Sequence, residues 1–138
     1  MAVSHQGTYV QLPKLGLAQI LNADGASRKT LVTAGADGNK IVGISASSTD
    51  SLDRLIQFWV LRGGVFFLLN TVSLLANSGF VGTSPPINVF TNWGSLPVDN
   101  DGQAYLYLES GDVLSVASTT SVVSLKELDI FAVHGTFS

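Results

Sequence analysis

From Arg28 onward the apolar residues come in short runs that alternate with polar ones and are cut at intervals by Gly, Asn, Asp and Ser. A period of two over about four to eight residues marks a strand with one buried face, and no segment sustains the roughly 3.6-residue period of a helix. The pattern predicts strands at 29–33, 40–45, 54–61, 65–75, 87–90, 103–109, 112–117 and 125–137. Turn signals recur close to the spacing of about 8 to 12 residues expected of an all-β sandwich or barrel. Alternation also assigns faces. In 103–109, Ala104, Leu106 and Leu108 share the core side, leaving Tyr105 and Tyr107 outward.

Strand 54–61 does not alternate cleanly, because Leu55, Trp59 and Leu61 oppose the equally apolar Ile56, Phe58 and Val60. A strand apolar on both faces is covered on both faces. With Phe66, Phe67, Leu68 and Leu69 beside it, this hairpin is either deep core or an interface, and central sandwich strands are normally the most apolar. Residues 55–76 form the one stretch apolar enough to suggest a membrane span, but Arg62, Gly63, Gly64 and Asn70 interrupt it. The expectation is two strands joined at Arg62-Gly63-Gly64, where glycines supply the positive φ of a tight hairpin, and no membrane partner.

The start of the chain differs. Gly7, Pro13 and Gly16 break any sustained alternation, so residues 1–27 are expected to form an extended N-terminal arm ahead of a domain at 28–138. Within the arm, Leu15, Leu17, Ile20 and Leu21 could form one short helix or strand before the turn at Asp24-Gly25. Tyr9, Val10, Leu12, Leu15 and Leu17 are too apolar for a tail that stays in water, so they are candidates for contact with a partner or a neighbouring subunit.

Composition sharpens this. Charged residues make up 12% of the chain and hydrophobic ones 46%, where an ordinary soluble domain is about 25% charged, so much of the surface is expected to be covered by assembly. Trp59, Tyr105 and Tyr107 join the candidate interface, with self-association as a dimer favoured over a trimer because two-fold symmetry is commonest. A net charge of -3 and dispersed Lys and Arg argue against direct nucleic-acid binding. There is no Cys, hence neither a disulfide framework nor a thiolate zinc site. Residues 1–7 lack the basic start and apolar core of a secretory signal, which implies folding in a cytoplasm.

Catalytic chemistry has little to stand on. His5 and His134 are the two imidazoles, too few for a multi-histidine metal site. A triad can be written from Asp129, His134 and a serine, yet no Gly-x-Ser-x-Gly elbow presents a nucleophile. Asp99-Asn100-Asp101-Gly102 resembles the start of a calcium loop, but with Gly102 at the sixth position the first ligand falls on Pro97 and the closing acid on Leu108. A structural turn is the better reading. No enzyme activity, metal or cofactor is expected. The alternative is carbohydrate binding, in which a loop aromatic stacks on a sugar, with Asn92, Trp93 and Asp99 as possible ligand contacts.

Lys29-Thr30-Leu31-Val32-Thr33-Ala34-Gly35 leading to Gly38-Asn39-Lys40-Ile41, then Ser48-Thr49-Asp50, Leu96-Pro97-Val98-Asp99, Gly102, Tyr105-Leu106-Tyr107-Leu108, Gly111-Asp112-Val113-Leu114 and the closing Phe137 carry a resemblance. Through them most of 28–138 resembles the small jelly-roll capsid decoration, or cement, proteins of tailed bacteriophages. The resemblance implies a jelly-roll-like antiparallel β-sandwich of about eight strands with an N-terminal arm. It further implies a non-catalytic protein on the outside of an icosahedral capsid that bridges major capsid protein subunits. It offers no catalytic residues, and the arm matches none of its motifs.

Overall fold

A computed structural model describes residues 11–136. Among these residues nine strands form two antiparallel sheets. One sheet runs β1 (Gln11–Leu21), β9 (Glu127–Thr136), β3 (Asn39–Ser48), with the short β6 (Ile87–Asn88) and β7 (Leu106–Leu108) pairing different stretches of β3. The other runs β2 (Lys29–Thr33), β8 (Val113–Ser118), β4 (Arg54–Arg62), β5 (Val65–Leu74). The pairing is nested: β1 with β9, β2 with β8, β3 with β6 and β7, β4 with β5. A ribbon folded on itself and wrapped across two sheets in this way is a jelly roll.

Most strands form where alternation predicts them, and their inner faces meet as the core. Of the expected strand 87–90 only Ile87–Asn88 pairs, Val89–Asn92 coiling into a 3-10 turn capped by Asn88, and of 103–109 only Leu106–Leu108 is strand. Ile41, Ile44 and Ala46 of β3 and Leu128, Ile130 and Ala132 of β9 face Ile56 and Phe58 of β4, Leu114 and Val116 of β8, and Val72 and Leu74 of β5. Bulges adjust the registers. Leu31 is the extra residue on β2, which lets both Leu31 and Val32 bury. Leu69 is extra on β5, opposite the Phe58 to Trp59 step of β4.

The expected arm is corrected in part. Residues 11–21 are not a free extension but an edge strand, paired with β9 from Gln11 opposite Thr136 to Leu21 opposite Glu127. Pro13 does not prevent this, because it lies in the irregularity between Gln11 and Lys14, where a missing N–H disturbs no ladder. Gly16 brings β1 against β2: an added Cβ would stand 2.3 Å from the Leu31 carbonyl oxygen. The run 55–76 is the β4/β5 hairpin, turning on Gly63 and Gly64 at φ of 59° and 78°. Among the described residues no helix is long and apolar enough to cross a membrane.

Candidate functional site

The outer face of the five-stranded sheet is built by the odd positions of β1 and β9. Leu15 stands opposite Val133 and Leu17 opposite Phe131, with Gly43 and Ser45 of β3 completing the strip. Leu15 is 57% exposed and Leu17 69%, with Leu21, Phe131 and Val133 also open. A shallow groove of about 450 Å³ runs along it, lined by Leu17, Gln19, Ser47, Asp129 and Phe131. At one end Gln19 Nε2 donates to both Glu127 and Asp129, the latter at 3.0 Å. The hydrogen bond and negative charge of Asp129 push the Glu127 carboxyl above its ordinary range.

The outer face of the four-stranded sheet carries a second patch. Trp59 pairs with Leu68 and Leu61 with Phe66 across β4 and β5; Leu68 is 50% exposed and Phe66 37%, and Leu55 extends the patch. Arg28, just before β2, reaches across it. Its guanidinium lies 4.2 Å from the Trp59 ring centroid and 4.3 Å from that of Phe66. Among the described residues it has no carboxylate within ion-pair distance and no hydrogen-bond acceptor, and the buried Trp59 Nε1 likewise finds none.

The residues predicted for an interface therefore do not converge. Leu15 and Leu17 lie on one outer face and Trp59 on the other. Tyr107 is exposed on β7, whereas Tyr105 is half-buried beneath Lys40, whose Nζ lies 4.8 Å from its ring centroid. Tyr9 and Val10 lie outside the described residues, and Leu12 belongs to β1 through its backbone. Sequence reasoning missed Arg28, Phe131 and Val133. The last two were legible from their alternation against Leu128, Ile130 and Ala132.

The residues named as possible sugar contacts make bonds and ring contacts within the fold. Trp93 is 8% exposed, edge-on to Phe90 at 5.9 Å and tilted on Phe58 at 5.8 Å, so it closes the core and has no free face to stack. The Asn92 carbonyl accepts from Asn70 Nδ2, and its own amide donates to the Asn88 carbonyl. Asp99 Oδ1 accepts from the backbone N–H groups of Asp101 and Gln103, and Oδ2 pairs with the buried Lys40 at 3.1 Å. These bonds, that from Gln103 first, outweigh burial and hold its carboxyl below the usual range. The segment 99–102 is a turn, with Gly102 at φ 79°.

The other buried ionisable groups are structural too. Burial pushes the Asp50 carboxyl up, but Arg54 at 2.7 Å and the N–H groups of Leu52 and Val123 prevail and hold it low. Arg62 forks onto Asp112 and lowers its carboxyl in turn. Asn39 Oδ1 accepts from Gly35 N, so its Nδ2 donates to His134 Nδ1 at 2.8 Å and fixes a neutral imidazole. Burial, with Lys14 nearby, lowers the His134 pKa. His134 is on the inner side of β9 and Asp129 on the outer, so the two cannot share a triad. His5 lies outside the described residues, and no three metal-ligating side chains cluster among those described. No protein-family model matches the chain, and no curated protein matches it.

Proposed function

We propose that this protein is a structural virion component that decorates and cements the outside of an icosahedral phage capsid, bridging subunits of the major capsid protein without catalysis. The observation that carries the reading is the pair of apolar outer faces. A sandwich needs only its inner faces for a core, and that core is complete. Yet Leu15, Leu17, Phe131 and Val133 on one side and Leu55, Phe66 and Leu68 on the other stand open to water. Contiguous exposed apolar patches mark interaction surfaces on soluble proteins. Two such faces suit a molecule held between neighbours.

Support also comes from the low charge and from the resemblance in sequence, which runs more narrowly to the cement protein of a short-tailed Bordetella phage. Jelly rolls serve in capsids and in lectins alike, so the fold does not decide between them. The sugar-binding alternative has less support, since Trp93 is buried against Phe90 and Phe58 and Asp99 pairs with Lys40. Self-association is part of the reading, with a dimer favoured over a trimer. The acidic Glu127 and Asp129 lie at one end of the Leu17 and Phe131 strip, so a two-fold contact centred on Phe131 keeps the two acidic ends apart. The test is titration of the protein onto undecorated shells of its phage. Saturation at a fixed number of copies per shell, with shells that resist higher temperature, is expected, and a failure to sediment with shells would refute the role.

A further inference from the structure

We infer that the outer face of the four-stranded sheet is the capsid-facing surface, and that Arg28, held between Trp59 and Phe66, receives a carboxylate of the shell protein. The inference rests on the cement reading and names the chemistry of its partner. A guanidinium lying over two rings is restrained by them, and Arg28 stays exposed, so its N–H donors remain accessible to a partner. Here those donors have no acceptor among the described residues. The indole N–H of Trp59 finds no acceptor among the described residues either, but it is buried, so the exposed guanidinium is the donor presented beside the apolar Leu55, Phe66 and Leu68. An aromatic and arginine centre with an aliphatic surround is how binding energy concentrates in protein interfaces.

The charge of the patch selects its occupant. The other cations of this sheet are already paired, Lys29 with Asp24, Arg54 with Asp50 and Arg62 with Asp112 and Glu109. One cation in an apolar field matches one carboxylate with apolar neighbours, whereas a nucleic acid needs several cations along its phosphates. A second copy fits poorly. A two-fold contact centred here would set Arg28 against its own counterpart, and a contact with the acidic end of the opposite sheet would be head-to-tail, building a ring or filament in place of the favoured two-fold dimer. The acceptor therefore belongs to a different protein.

The experiment measures binding to undecorated shells by co-sedimentation for wild type, Arg28→Ala, Arg28→Lys, Leu68→Ser and Lys126→Ala, with circular dichroism to check each fold. Arg28→Ala should weaken binding roughly tenfold or more. Arg28→Lys keeps the charge but not the stacked planar fork and should fall between. Leu68→Ser, on the same face, should weaken binding too, and Lys126→Ala, which removes an equal charge elsewhere, should bind as wild type. If folded Arg28→Ala and Leu68→Ser bind like wild type, the inference fails while the cement reading stands. If wild type itself does not bind, both fail. Self-association, or binding to a duplex DNA probe, that is lost in Arg28→Ala while shell binding persists would assign the clamp to another occupant and overturn the proposal.

Discussion

Gly16 is the tightest point between the two sheets at the β1 edge, with the Leu31 carbonyl oxygen where a Cβ would have to go. Gly16→Ala should therefore destabilise the fold by about 1 to 3 kcal/mol, as overpacking does, and lower the urea midpoint without changing the far-ultraviolet spectrum. The carboxylates give a second residue-scale test. Asp24, Asp50, Asp99 and Asp112 all have carboxyl pKa values below their ordinary range. Their contribution is present above the unfolded value of about 3.9 and is lost as pH falls through the depressed folded values. His134, lowered by burial, acts in the same direction: its contribution is present above about pH 6.5 and is lost as pH falls through its folded value. Glu127 has the opposite sign. Its raised pKa means that the contribution is present at low pH and is lost as pH rises through the folded value, leaving like-charge repulsion with Asp129 at neutrality. Glu127→Gln should raise the melting temperature at pH 7, and the gain should fade below about pH 4, where the wild-type carboxyl is protonated. A gain that is equal at both pH values would contradict the repulsion.

At the scale of elements, strands whose inward side chains are large were legible and the one whose inward side chains are small was not. Residues 29–33 coincide with β2, and the break at Arg62-Gly63-Gly64 is the β4/β5 turn, because alternation and positive-φ glycines are local signals. In β1 the signal is inverted: the inward residues are Gly16, Ala18 and Ile20, and the large Leu15, Leu17 and Leu21 face out. Its apolar residues were read as candidates for partner contact, and Leu15 to Leu21 as a short helix or strand, but the pairing with β9 was not foreseen. The candidate site was half legible for the same reason. Trp59 was named with the candidate interface while its hairpin was left as either core or interface, and Arg28, adjacent to Lys29, looked like one of a solvated pair until β4 and β5 brought two rings to it. The position of β1 also sets a prediction. Removing residues 1–10 should leave a cooperative thermal transition, because no paired position of β1 is lost. Removing residues 1–21 strips β9 of one of its two partners and takes away the fully buried Ile20, and should abolish that transition. An intact transition after the longer deletion would show that the sandwich closes without its edge strand.

The described residues combine a filled jelly-roll core with two outer faces of unlike character, one apolar with an acidic end and one apolar around a cation that has no ion pair among those residues. The unlike faces suggest a division of labour, the first sheet for a second copy and the other for the shell. Sedimentation velocity at micromolar concentration should show a dimer, and Leu17→Gln combined with Phe131→Ser should shift it to monomer while Arg28→Ala does not. Dimers that survive the double substitution would move the self-contact to another surface. The cementing role itself is tested most directly by cryo-electron microscopy of the intact particle, counting copies and fixing their place. The account predicts density for this sandwich on the outer capsid surface at roughly the copy number of the shell subunit, with Arg28 turned toward the shell. A few copies at the tail tip, or none on the capsid, would contradict it.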